Sequence, residues 1–135
     1  MDITPSLDAP ANTGPAEWFT GAVSIQAVGT AEAPGRTQAA VVSFADGART
    51  AWHTHPYGQL LHVLHGLARI QTEGGDAVDV GAGTSVRFAA GENHWHGASP
   101  GHAMTHLAVQ ELSEDGAAAD WGRHVTDAEY GGPAG

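Results

Sequence analysis

Gly47-Ala48-Arg49-Thr50-Ala51-Trp52-His53-Thr54-His55-Pro56-Tyr57-Gly58-Gln59, running on through Leu60-Leu61-His62-Val63-Leu64-His65 to Gly66, is the stretch whose reading decides the fold. Side chains alternate along an extended chain, so His53 and His55 leave on the same face and can converge on one point. Pro56-Tyr57-Gly58 is a turn signal, and Gln59 opens the apolar run behind it. A hairpin there returns the Gln59 amide oxygen towards the two imidazoles. His94-Trp95-His96 repeats the His-x-His geometry on a distant segment. Imidazole nitrogen suits Mn, Fe, Co, Ni, Cu or Zn, and a neutral amide adds a hard, uncharged donor. His53, His55, Gln59 and His94 are therefore the candidate metal ligands. His62, His65, His102 and His124 read as surface or structural histidines.

Outward from this stretch the chain is a series of short apolar or alternating runs cut by Gly, Pro, Asp and Asn. Strands are expected over Ala22–Val28, Thr37–Phe44, Thr50–His55, Gln59–Leu64, Ala68–Thr72, Ala77–Val80, Ser85–Phe88, His94–His96 and Ala103–Leu112. Many short strands at even spacing predict an all-β sandwich or barrel. One short helix is expected over Asp115–Trp121, on its alanine content. Residues 1–15, with Pro5, Pro10 and Pro15, read as an extended arm, residues 16–128 as a single barrel domain, and residues 129–135 as a flexible, Gly-rich tail.

Composition narrows the chemistry. The 135 residues suit one domain. Fifteen acidic against five basic residues give a formal net charge of −10, which disfavours nucleic acid and anionic lipid as partners. All five basic residues are arginine and cysteine is absent, so neither a lysine Schiff base nor a thiolate nucleophile is available. No targeting segment or membrane-length apolar run is visible, and a cytoplasmic location is the default expectation.

The stretch from Gly47 to Gly66 resembles the first motif of the cupin superfamily, G-x5-H-x-H-x3-E-x6-G, with every spacing kept and Gln59 in place of the glutamate. A second motif, G-x5-P-x-G-x2-H-x3-N, is matched from Gly83 through Gly91 and His94 to Ala98, with Ala89 and Ala98 replacing its Pro and Asn. The resemblance implies a single-domain cupin, a double-stranded β-helix or jelly-roll barrel with a metal inside. The strings Arg49–Pro56, Gly58-Gln59, His94–Ala98, Ala103–Ala108 and His124–Asp127 are similar to small bacterial monocupins. That group includes manganese-dependent (R)-selective hydroxynitrile lyases and carboxymuconolactone-decarboxylase-associated cupins. In the lyases the metal is held by residues matching His53, His55, Gln59 and His94, which implies Mn(II), with Fe, Co, Ni or Zn as alternatives.

On the strand Ala103–Gln110, a lumen-facing His106 brings Met104, Ala108 and Gln110 to the same face. The expected lumen is small and mostly apolar, lined by Ala40, Val42, Leu61, Val63, His96, His106 and Gln110. His106, or else His96, is the candidate acid and base. Cleavage or formation of cyanohydrins of the mandelonitrile type is the leading expectation. A dioxygenase acting on a small phenol or diketone, and a non-catalytic metal-binding or ligand-binding cupin, are the alternatives. The tryptophans read as closing barrel ends or subunit faces, and a homo-oligomer, dimer or tetramer, is expected, with a small molecule as substrate.

Overall fold

The computed structural model describes residues 1–5 and 11–131. The parts of the expected arm and tail at residues 6–10 and 132–135 lie outside the described residues. Twelve strands and one short helix follow in order: β1 (Asn12–Thr13), β2 (Phe19–Thr20), β3 (Val23–Thr30), β4 (Thr37–Phe44), β5 (Arg49–Thr50), β6 (His53–Thr54), β7 (Gln59–Thr72), β8 (Val78–Gly81), β9 (Ser85–Phe88), β10 (His94–Ala98), β11 (Met104–Glu111), β12 (Asp120–Trp121) and α1 (Asp127–Gly131). They form one curled antiparallel sheet whose main path runs β1-β3-β4-β11-β7-β10-β5-β2. The all-β expectation holds.

The curl has a local cause. Gln59–Leu64 and Ala68–Thr72, expected as separate strands, are the two halves of β7. The first half pairs with β11 and β9, the second with β10 and β8, so β7 belongs to both walls. Gly66 sits between them at φ 80°, next to a register shift against β11. A Cβ at Gly66 would overlap the Ala103 carbonyl oxygen, so only glycine fits. Before this bend β7 alternates strictly, with Gln59, Leu61 and Val63 inside and Leu60 and Leu64 outside.

Other expectations change in instructive ways. Thr50–His55 is not one strand: the Ala51 N–H donates to Trp18 O and the Trp52 N–H to Arg123 O, which leaves short β5 and β6 on either side. The helix expected over Asp115–Trp121 does not form. Ser113 and Asp115 accept from the Ala117 N–H, which the side chains hold in a turn, and the segment ends as β12 against β6. The helix that does form, α1, opens on a capping box: Glu129 N–H donates to Thr126 Oγ1, and Thr126 N–H donates to Glu129 Oε1. It takes in residues 129–131, which the composition had assigned to the tail.

The core joins both walls, with Phe19, Val23, Val42, Phe44, Val63 and Met104 in one buried cluster. A second cluster, Trp52, Trp95, Val125 and Tyr130, lies under the C-terminal segment. Two buried arginines hold that segment down. Arg49 donates to Val125 O and Asp127, Arg69 donates to Tyr130 O and pairs with Asp79, and the Tyr130 hydroxyl donates to Ala98 O. No helix among the described residues is long and apolar enough to cross a membrane.

The bend predicts a sharp contrast between glycines. Gly66→Ala should lower unfolding free energy by more than about 3 kcal/mol, through strain and backbone overlap together. Gly74→Ala, at φ 84° with open space around it, should lower it by about 1 kcal/mol from the left-handed backbone alone. Denaturant melts of both variants check this.

Candidate metal centre and cavity

Antiparallel pairing brings the candidate site together. His94 on β10 lies directly opposite His53 on β6, and His96 follows on the same inward face of β10. His55 ends the segment after β6, Gln59 begins β7, and His106 projects from β11. His53, His55, His94, His96, His106 and Gln59 are all buried. Ligand nitrogens of His53, His94 and His96 lie within 4.8 Å of one another, close enough to hold a metal ion. His55 stands at the edge of this group, its ring centroid 4.9 Å from that of His53. Trp95, between the two histidines of β10, points to the opposite side and donates from Nε1 to Gln71.

Backbone carbonyls fix the tautomers of three rings. His53 Nδ1 lies 2.8 Å from Ala51 O, His55 Nδ1 2.8 Å from Ala118 O and His94 Nδ1 2.8 Å from Glu92 O. A carbonyl can only accept, so each Nδ1 carries the proton and each Nε2 presents a bare lone pair. His94 Nε2 then faces Gln59 Oε1 at 3.2 Å, and His55 Nε2 is buried without a partner. Two acceptors facing one another, beside an orphaned third, fit a cation that would be shared between them.

Burial keeps this cluster uncharged. It pushes His53 well below the ordinary histidine value, with the neighbouring His94 adding to the effect. His55 is lowered for the same reason, and His94 falls to about 4. His96 is pushed well below by burial and by His106, and burial lowers His106 to about 4. These last two form a pair, with His106 Nε2 3.0 Å from His96 Nδ1. The outer nitrogens, His96 Nε2 and His106 Nδ1, have no partner among the described residues.

The site opens into a cavity of about 450 Å³ whose wall includes His53, His55, Gln59, His96 and His106. Ala40, Val42 and Gln110, expected at the lumen, line it. Leu61 and Val63 do not. They point inward from β7 but are covered, Leu61 by Phe88 and Ala108 and Val63 within the main core cluster. His94 is not among the described lining residues, and its ring stacks on Phe88 with centroids 3.7 Å apart. Thr50, Gln38, Trp18, Trp121 and the loop residues 117–119 also form the wall, and sequence reasoning missed them. Gln38 was within reach, because it shares parity with Ala40 and Val42 on β4. Trp121 and Ala118 were hidden by the helix expectation. Trp18 stacks on Trp121 at 5.2 Å within the wall, and Trp121 packs against His53.

Comparison with known proteins fits this geometry. Residues 40–109 match the family model described as Cupin domain. An (R)-mandelonitrile lyase of Granulicella tundricola is 53% identical over 117 residues, covering 87% of this chain and 88% of that one. Identity at this level over most of both chains marks the protein as an enzyme of lyase type. A cupin-like protein of Thermotoga maritima superposes with a TM-score of 0.82 at 32% identity, covering 97% of this chain and 96% of that one. A polyketide cyclase of Streptomyces resistomycificus shares the fold, with a TM-score of 0.69 at 19% identity and coverage of 96% and 89%. A matching domain model, an extended curated relative and a near-complete structural superposition lead to one statement: the chain belongs to the cupin family.

Proposed function

We propose that the protein is a metal-dependent hydroxynitrile lyase that cleaves and forms cyanohydrins of the mandelonitrile type. The observation that carries this reading is a hydrogen-bonded, uncharged His96–His106 pair in the wall of a largely apolar cavity, beside converging Nε2 lone pairs. The extended similarity to an (R)-mandelonitrile lyase supports it. His53, His55, Gln59 and His94 would hold the cation, Mn(II) by preference, with Fe, Co, Ni or Zn able to use the same nitrogen and oxygen donors. A divalent cation bound there supplies Lewis acidity towards a hydroxyl or carbonyl oxygen.

The residues account for the rest. Ala40, Val42 and Ala108 give an apolar wall for an aryl or alkyl group, and Trp121 offers it an aromatic face. His106, neutral because it is buried, takes the hydroxyl proton of the cyanohydrin. The freed electron pair becomes the carbonyl π bond, the bond to the nitrile carbon breaks, and its pair leaves as cyanide. The proton then returns from the histidine pair to give HCN. The shared hydrogen bond to His96 Nδ1 orients the His106 ring and lets the proton pass between the two. Cyanohydrin synthesis is the reverse. Leu60 and Leu64 are exposed on the outer face of β7 and Val28 on β3, which supports a homo-oligomer in which a second copy covers apolar surface.

Mn(II)-loaded protein should release benzaldehyde and HCN from mandelonitrile, and chelation should abolish the release. Oxygen uptake on small phenols or diketones without this cleavage would overturn the assignment. His106→Ala should lower kcat/KM by about a hundredfold or more while metal content stays unchanged. Acidity should act on the fold as well. His94 and His106 are held at about 4 in the folded chain against an ordinary 6.5, so the unfolded chain binds their protons more readily. Their stabilising contribution is present above about pH 6.5 and is lost as the pH falls towards 4. Thermal unfolding of metal-free protein should fall steadily across that window and change little from pH 7 to 8.

A further inference from the structure

Gln38, Gln110 and Gln59 stand side by side on three neighbouring strands. Gln110 on β11 is paired in register with Gln38 on β4 and with Gln59 on β7. All three side chains reach the same cavity wall. They form a directed chain, in which Gln59 Nε2 donates to Gln110 Oε1 at 3.2 Å and Gln110 Nε2 donates to Gln38 Oε1 at 2.9 Å. The free end of the Gln59 amide, Oε1, is thereby left facing His94 Nε2.

A glutamine at this position has a difficulty that a glutamate lacks. A carboxylate presents the same oxygen whichever way it turns. An amide has two ends of nearly equal shape, and turning it over would put an NH₂ group, two donors and no lone pair, where a cation must be met. Packing discriminates poorly between the two ends, whereas a hydrogen-bonding neighbour discriminates well. Gln110 can hold Gln59 in the useful sense only while its own oxygen faces Gln59, and Gln38 fixes that by accepting from the Gln110 amide nitrogen.

We infer that Gln110 and Gln38 are positioning residues that set the polarity of the Gln59 amide, so that its oxygen rather than its nitrogen meets the metal. The inference rests on the reading of Gln59 as a ligand. Gln110 therefore acts through Gln59 rather than chiefly as part of the substrate wall, and Gln38, which bonds to Gln110 and not to Gln59, acts from the end of the chain. Substitutions at these positions should change metal retention before they change substrate fit. Partners that orient metal ligands influence affinity by about ten- to a hundredfold.

The test is the dissociation constant of full-length protein for Mn(II) alone, read by chelator competition and by the loss of free-ion paramagnetic signal, with no substrate present. Gln110→Met keeps the length and removes the hydrogen bonds, and it should weaken binding about tenfold or more. Gln38→Met should weaken it by a smaller factor. Gln38→Glu still accepts from Gln110 and should retain the affinity of the unaltered chain. In the Gln59→Glu background neither methionine change should matter, because the two carboxylate oxygens are equivalent. Methionine variants that bind Mn(II) as tightly as the unaltered protein, or that weaken it equally in both backgrounds, would overturn the inference. Undiminished binding by Gln59→Ala would remove Gln59 from the ligand set and overturn both readings. Loss of affinity in Gln59→Ala without any effect of Gln110→Met would overturn the positioning role alone. Thermal unfolding of the metal-free variants separates these outcomes from loss of the fold.

Discussion

Three imidazole Nδ1 hydrogen bonds to backbone carbonyls govern the centre of this protein. Ala51, Glu92 and Ala118 supply those carbonyls from three different parts of the chain, so the strand pairing and the loop after β11 together determine which nitrogen each histidine shows inward. A side chain held in this way does not need a metal to find its rotamer. It also cannot become charged without loss, because a proton on Nε2 would be buried among other imidazoles. The low proton affinity of the cluster and its readiness for a cation are one property, seen from two sides.

Burying so many polar rings has structural consequences elsewhere. Unpartnered nitrogens on His55, His96 and His106 are unfavourable in a metal-free barrel, and apolar packing has to offset them. Phe44 packs against His96 and His106, and Phe88 lies flat on His94. On the far side of β10, the Trp52–Trp95–Tyr130 cluster and the two buried arginines bind the C-terminal segment across the strand that carries His94 and His96. The same strand is thus braced by a polar site on one face and an aromatic cluster on the other.

Most of the barrel was legible because strand periodicity is local. Thr37–Phe44 and Ser85–Phe88 stand as expected, and the parity of β11 brings His106 and Gln110 to one face. The spacing of His53, His55 and His94 pointed to a metal for the same reason. What the sequence concealed was non-local. Whether Gln59–Leu64 and Ala68–Thr72 are one strand or two depends on Gly66 meeting Ala103 across the sheet. Whether the alanines near Asp115 coil into a helix depends on Ser113 and Asp115 capturing the Ala117 N–H first. Leu61 and Val63 have the right parity for the cavity and still fall short of it, because parity gives the face and says nothing of depth. The capping box Thr126-Asp127-Ala128-Glu129 and the cavity-facing parity of Gln38 were missed although both are written in local sequence.

The electrostatics of the cavity follow from what its wall lacks. Among the described residues its lining holds imidazoles, amides, hydroxyls and apolar groups, and no Asp or Glu. An overall charge of −10 is carried on surfaces elsewhere, where solvent and salt screen it from the site. With Gln59 in place of a glutamate, the protein itself supplies no full negative charge to balance a dipositive ion. The compensating charge must then come from what enters the cavity, and a group that becomes anionic as it reacts gains most. In the proposed reaction, an oxygen losing its proton to a neighbouring imidazole would be such a group, and so would departing cyanide. In the proposed lyase the exchange of glutamate for glutamine would therefore do more than alter one ligand: it would leave an unbalanced charge that favours oxyanion chemistry. That advantage would hold only while the amide oxygen, and not the amide nitrogen, faces the ion.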